Sequence, residues 1–278
     1  MNSGDDHLEL LSALDVLRAA APMDPDGQER WRVVADFHGR ADRAAFGAAC
    51  AAARSGNGRE RMIGLDVLGQ FGHGADRPFL EETLPLVAGA CADRHPGVAG
   101  SALVALGHLA DPRGLPAVLG QAGHADEDVR QAVAFTLPSV AGEPARPEAV
   151  TALILLSTDS SDQVRDWATF GLGLESTGDT EQIRRALLDR VTDPDPDTAG
   201  EAFLGLARRG DRRILAALGA ALDAPAPADI LLQAACEAAT PELLPALHRL
   251  RQRDALQPQR VDEAVTACST PRPAPPTP

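Results

Sequence analysis

From residue 95 onward the chain repeats one pattern of apolar and polar positions. Val98, Val129, Val164 and Thr198 stand 31, 35 and 34 residues apart. Four residues past each stand Ala102, Val133, Ala168 and Ala202, and eight past stand Leu106, Leu137, Leu172 and Leu206. Positions i, i+4 and i+8 share one helix face, so each stretch predicts an amphipathic helix with a buried stripe. The small residue in most of the middle slots lets a neighbouring helix come close. A break follows each helix, at Ala110-Asp111-Pro112, Gly142-Glu143-Pro144, Gly178-Asp179 and Gly210-Asp211. Glycine ends a helix in the left-handed region and the acid caps the next one. A second apolar stripe then runs through Leu115, Val118 and Leu119; Val150, Leu153 and Ile154; Ile183, Leu187 and Val191; and Ile214, Leu218 and Leu222. Each unit is predicted as helix, tight turn, helix.

The pattern extends in both directions. Upstream, Gly64 and Leu68 fill the middle and last slots, with a longer step to the next unit. Downstream it continues more loosely to about residue 250. Before residue 55 the period blurs, although the stretches around Leu10, Val33 and Ala48 still read as amphipathic helices. The predicted organisation is a divergent N-terminal helical cap over 1–57, a repeat solenoid over 58–252, a capping helix over 253–268 and a disordered Pro-rich tail over 269–278. Terminal repeats diverge because one face meets water, and the tail has little to bury. The fold class is all-α, an α-solenoid of about six to seven stacked helical hairpins.

Composition supports helices over sheets. Aromatic residues are 3% of the chain and Tyr is absent, whereas strands draw on β-branched and aromatic residues. The hydrophobic 44% is mostly Ala, Leu and Val, and Ala and Leu are strong helix formers. No sustained alternation with hairpin turns occurs. The net charge is −14 and every basic side chain is Arg. An acidic surface repels phosphate backbones, which excludes general nucleic-acid binding. It fits a freely soluble protein and a basic partner. Cys50, Cys91, Cys236 and Cys268 form no CxxC pair, and three lie in Ala-rich helical stretches, where Cys acts as a small hydrophobe. The acidic start lacks the pattern of a signal peptide, and no apolar run reaches membrane-spanning length. A cytoplasmic setting is expected, without a membrane partner.

The pattern D-x-x-V-R-x-x-A-x-x-x-L, followed by G-D and a second Leu-rich helix, resembles the HEAT and HEAT-like repeat family. Asp126, Val129, Arg130, Val133 and Leu137 carry it, as do Ser161, Val164, Arg165, Ala168 and Leu172, with Gly210-Asp211 marking an inner turn. The resemblance covers roughly residues 58 to 250. It implies stacked helix pairs and is weak for activity, since fold does not fix function. The family includes scaffolds and also enzymes: bilin lyases of the phycobiliproteins, deoxyhypusine hydroxylase with its His-Glu iron ligands, and alkylpurine DNA glycosylases.

Candidate chemistry is sparse. None of the seven histidines is followed by Glu, so the di-iron motif is missing. His95 and His124 sit beside Asp93 and Asp126 in successive loops, which makes them solvated turn residues or, less favourably, a metal pair. A glycosylase needs a basic groove and aromatic residues, and the chain offers only Trp31 and Trp167. Trp167, next to the Ala168 slot, is expected to be packed or half-buried in the stack. Arg61, Arg130 and Arg165 recur one residue past their anchors, which predicts a ladder bridging to an Asp of a neighbouring repeat. The loops carry acids that cap helices, and a surplus at Asp193, Asp195 and Asp197 forms a candidate acidic ridge. With the second helices expected on the concave face, Arg184, Arg185, Arg212 and Arg213 form a candidate basic spot for carboxylates or phosphates. The reading is a non-enzymatic protein or peptide scaffold, without cofactor, catalytic residues or metal. The alternatives are a HEAT-like lyase-type enzyme or accessory factor, and an inhibitor or immunity-like protein that masks a basic target.

Overall fold

The computed structural model describes residues 3–25, 27–40, 42–71, 77–175, 178–253 and 258–270. Among them are only helices and turns, grouped in two compact units, Met1–Ala152 and Leu153–Pro278. The expected Pro-rich tail, from residue 271 on, lies outside the described residues, as does His73. No described helix is long and apolar enough to cross a membrane.

The first unit holds α1 (Ser3–Ala20), α2 (Gln28–Arg40), α3 (Arg43–Ala53), α4 (Gly58–Gln70), α5 (Leu80–Ala90), α6 (Pro96–Leu109), α7 (Leu115–Leu119), α8 (Glu127–Val140) and the start of α9 (Pro147–Leu156). Val98, Ala102, Leu106, Val129, Val133 and Leu137 are all fully buried. Each such Leu contributes about 1.5–3 kcal/mol relative to exposure. Asp126 caps α8 by accepting from the Asp128 and Val129 amides. Ala110 ends α6 in the left-handed region, at φ 46°, and Asp111 caps the short 3-10 turn that leads into α7.

The helices fall into two rows. Helices α4, α6 and α8 pack directly on one another, whereas α5 and α7 scarcely meet and instead each lean on the following first-row helix. Small residues set the spacing: a Cβ added at Gly69 would stand 2.8 Å from the Cα of Ala105. Thr136 on α8 donates its hydroxyl to the Leu103 carbonyl of α6 at 2.9 Å, which needs the same proximity. Within this unit the tightly spaced row is therefore made by the first helices.

The N-terminal helices extend the tight row: α1 packs on α3 and α3 packs on α4, while α2 leans on α4. Arg30, buried at 3% exposure, forms an ion pair with Asp66, and His38 Nδ1 donates to the Gln70 carbonyl at 2.8 Å. The buried stripe of α2 is Arg30, Val34 and Phe37. A charge in the first slot breaks the hydrophobic period, and that is why the repeat fades in the sequence before residue 55.

The second unit holds α10 (Asp162–Phe170), α11 (Glu181–Leu188), α12 (Pro196–Arg208), α13 (Leu215–Leu222), α14 (Asp229–Ala238), α15 (Leu244–Gln252) and α16 (Pro258–Ser269). Val164, Ala168, Leu172, Thr198, Ala202 and Leu206 are fully buried. Helices α10, α12, α14 and α16 again form the tight row. A Cβ on Gly205 would lie 2.6 Å from the Cα of Gly173. Helix α10 ends in a π-helical turn, Gly171–Glu175. Arg209 binds it: its Nη atoms donate to the carbonyls of Leu172, Gly173 and Gly178 at 2.7–3.0 Å.

The arginine ladder is present in both units. Arg61 donates to both carboxylate oxygens of Asp93 at 2.9 and 3.1 Å, and Arg165 does the same to Asp193 at 3.0 and 2.9 Å. Each also holds carbonyls of its preceding loop, Ser55 for Arg61 and Asp159 and Ser160 for Arg165. Bidentate forks of this kind fix geometry as well as charge. Arg130 occupies the equivalent place and donates to the His124 and Ala125 carbonyls.

Candidate functional site

The basic spot read from the sequence is tied into the turns. Arg184 donates to Asp179 at 2.6 and 2.7 Å, to Asp211 at 3.2 Å and to the Arg209 carbonyl at 2.6 Å. Arg213 grips Asp211 and reaches Glu181 at 2.8 Å, and Arg212 pairs with Glu242 at 2.6 Å. Asp211, in the middle, is pulled down to about 2, first by the Arg213 hydrogen bonds against the opposing effect of burial. Three of the four guanidinium groups therefore serve carboxylates of this chain. Arg185 is exposed and makes no such pair among the described residues.

The acidic ridge divides in the same way. The Asp193 side chain is only 1% exposed, clasped by Arg165 and Arg190, so it is a joint of the stack and not a surface acid. Asp195 caps α12 by accepting from the Thr198 amide and hydroxyl at 2.8 and 2.7 Å. Asp197 is exposed in the first turn of α12. The loop histidines are bound locally: the His95 amide donates to Asp93, and His124 Nδ1 accepts from the Asp126 amide at 3.0 Å.

The charges that the turns leave over lie on the first-row face of the second unit. Asp162, Asp166 and Phe170 follow one stripe of α10, and Asp197, Glu201, Leu204 and Arg208 follow one stripe of α12. Trp167 and Phe170 are half-buried and meet edge to face, 5.8 Å between ring centres. Asp166 Oδ1 and Glu201 Oε2 are enclosed and accept no hydrogen bond among the described residues. Burial pushes the Asp166 carboxyl up to about 6, helped by the like charges of Asp195, Asp197 and Asp162. Burial and then the charge of Asp166 push Glu201 up to about 7, with only Arg208 opposing. Half-buried acids that raise one another against a single opposing charge are costly in a folded chain.

A cleft of about 330 Å³ continues this face toward the C-terminal end. Leu204, Leu232 and Cys236 contribute to its lining, with Arg208, Arg260 and Glu263 among its polar groups. Arg260 reaches Asp229 at 3.3 Å and Glu263 at 3.5 Å, while Arg208 is exposed and its charge acts on Glu201. A second cleft, of about 310 Å³, lies in the first unit beside α3. There Arg43 is held by Glu82 at 2.6 and 2.9 Å and lies over Phe46 and Phe79.

The sequence carried a signal for the first-row face. The slots at 0, +4 and +8 repeat because they are core. The slots at +3 are Ser101, Ala132, Trp167 and Glu201, and those at +6 are Val104, Phe135, Phe170 and Leu204. These positions differ from repeat to repeat in size, charge and aromaticity, which stacking alone does not require.

The two rows, the capped turns and the arginine ladder define the class: an α-solenoid of the HEAT and armadillo type. Residues 83–173 match the family of HEAT repeats. Protein YibA of Escherichia coli K12 is 32% identical over 120 residues, a stretch that spans 43% of this chain and 41% of YibA. The YibA of E. coli O157:H7 matches to the same extent. The X-ray structure of E. coli YibA superposes with a TM-score of 0.70 at 20% identity, covering 97% of this chain and 98% of that one. A structure of Kap95p, described by its binding to RanGDP, gives a TM-score of 0.63 at 15% identity, covering 93% of this chain and 40% of that one. At these identities the structural matches bear on the fold, and the fold is one commonly used for protein-interaction scaffolds.

Proposed function

We propose that the chain is a non-enzymatic scaffold that binds a protein or peptide along the first-row helices of its second unit. One observation carries the reading: the first-row face varies between repeats and holds Asp166, Glu201, Trp167 and Phe170, while the turn charges are already paired within the chain. Repeat stacks present extended surfaces, and conformity at core slots beside variety at outward slots is what such a surface needs. Of the residues read from the sequence as partner-binding, Asp197 is exposed on that face. Arg185, Arg212 and Arg213 are exposed on second-row elements, Arg212 and Arg213 while paired to acids of this chain, and Arg184, Asp193 and Asp195 hold the frame. A cytoplasmic setting fits the four free cysteines, three of them buried, with the Cys91 thiol pushed up to about 12 by burial.

The test is a photo-crosslinking amino acid placed at Phe170 or Arg208 on the first row, and at Gln182 or Arg185 on the second. In extract of the source organism, discrete adducts are expected from the first pair of positions only. Adducts confined to the second pair would place the partner elsewhere and overturn the reading.

A further inference from the structure

We propose that Cys236 and Cys268 form an oxidative modification site, at which peroxide joins them in a disulfide that fastens α16 to α14. The site stands apart from the scaffold reading and neither depends on the other.

The tight row of helices places the two residues together. At its joints a small residue just after the last core slot of one helix faces the next helix: Gly69 faces Ala105, Gly107 faces Thr136, and Gly173 faces Gly205. Backbones this close are within reach of a disulfide, whose Cα atoms stand about 4.4–6.8 Å apart. In α14 the same place is taken by Cys236. It directly follows Ala235, which stands four residues before the left-handed Ala239 as Leu106 stands before the left-handed Ala110. The next helix of the row is α16, and its fully buried Cys268 donates its thiol hydrogen to the Ala235 carbonyl at 3.4 Å. That carbonyl belongs to the peptide bond leading into Cys236. The two thiols lie within electrostatic reach, and Cys268 acts on Cys236 more strongly than any charged neighbour does.

The two sulfurs differ in access. Cys236 is half-buried and lines the cleft of about 330 Å³, so a small oxidant meets it first. Cys268 lies behind it with no exposure, the place of a resolving thiol. The other cysteines belong to the first unit: Cys91 turns back on its own helix, donating to the Val87 carbonyl at 3.5 Å, and Cys50 lines a cleft among Arg43, Arg54 and Glu82.

The chemistry balances with peroxide as the oxidant. The Cys236 thiolate attacks one peroxide oxygen and the O–O bond breaks, giving a sulfenic acid and a hydroxide that takes up the proton the thiol released. The Cys268 sulfur then attacks the sulfenic sulfur. The S–S bond forms as the S–O bond breaks, and the leaving hydroxide takes the Cys268 proton. Two thiols and one peroxide become one disulfide and two waters. Burial pushes both thiols up, against the pull of Arg260 on Cys236 and of the Thr240 amide on Cys268. Thiolate is therefore scarce near neutral pH, and the pair answers sustained oxidant, closing faster as pH rises. The bridge encloses α15 in a covalent loop and holds the last described helix on the stack.

The experiment treats the reduced full chain with millimolar hydrogen peroxide, blocks the remaining thiols with N-ethylmaleimide and maps the tryptic peptides by mass. The peptides carrying Cys236 and Cys268 are expected as one linked species, two hydrogens lighter than their sum, with Cys50 and Cys91 recovered blocked. The link should form faster at pH 8 than at pH 6.5 and raise the thermal midpoint by at least about 3 °C, reversibly with dithiothreitol. With dimedone present, Cys268→Ala is expected to give the sulfenic adduct on Cys236, and Cys236→Ala to give none on Cys268; the reverse would overturn the order of attack. Recovery of Cys236 unlinked from the oxidised parent, a link to Cys50 or Cys91 or between chains, or a link that forms only in urea would overturn the site, whether or not either variant folds. A link that leaves the midpoint unmoved would overturn the fastening of α16.

Discussion

Two regions of the second unit contain the same kinds of charge and use them in opposite ways. Around Asp211, arginines and acids alternate in space, and the central carboxyl is pulled down to about 2. On the face of α10 and α12 the acids stand together, one oxygen of each enclosed and without a donor, and their carboxyls are pushed up to about 6 and about 7. The turn gains stability from its charges, whereas the face loses some. Charge that lowers stability without a structural return is the mark of a surface shaped for something outside the fold.

The largest expected effect comes from breaking the satisfied region. Asp211→Ala removes a cap and leaves Arg184 and Arg213 without their shared acceptor. A loss of about 2–4 kcal/mol is expected, read by urea denaturation. The opposite sign is expected on the face: Glu201→Gln should stabilise the chain at pH 8 by about 1 kcal/mol, because it removes a costly ionisation. Loss of stability there would mean that Glu201 has a partner within the fold.

The pH dependence separates the regions further. Glu201 lies above its ordinary 4.5 when folded, so the native state holds the extra proton. Its unfavourable contribution appears as pH rises from about 4.5 to about 7 and is absent below. Asp211 lies below its ordinary 3.8, so its favourable contribution is present above about pH 4 and fades as pH falls toward 2. Melting curves of Glu201→Gln and its parent should therefore converge near pH 4 and part by pH 8. Those of Asp211→Asn and its parent should differ least at pH 2.

Smaller effects sharpen the comparison. Ala110 sits in the left-handed region, where glycine is at ease, so Ala110→Gly should stabilise by about 0.5–1 kcal/mol. Arg212 pairs with Glu242 in the open, at 67% and 56% side-chain exposure. Arg212→Ala should cost less than about 1 kcal/mol in a thermal melt, since exposed pairs are weak.

The core was legible because it repeats. Val98, Ala102 and Leu106 announce their helix, and their counterparts announce the rest of the stack. The turns at Asp111 and Gly210-Asp211 were legible for the same reason. That the first helices form the tightly spaced row is marked in the sequence by Gly69, Gly173 and Gly205, all on those helices or the turn that extends one. Helix α2 was legible as an amphipathic helix, but its repeat period was hidden by Arg30, whose burial makes sense only once Asp66 stands beside it. Asp166 and Glu201 look like ordinary surface polar residues within a single repeat. Their meaning depends on packing between repeats, which brings two like charges together and closes part of each away from water.

The arginine forks that close the turns have one more consequence. Arg61, Arg165, Arg184 and Arg209 each bind several oxygens at fixed angles, a task for which an ammonium group is poorly shaped. The chain uses arginine throughout and contains no lysine. No side-chain amine is therefore offered anywhere to acetyl transfer, to isopeptide tagging or to amine-directed labels. The stack would pass through such chemistry with its frame unaltered.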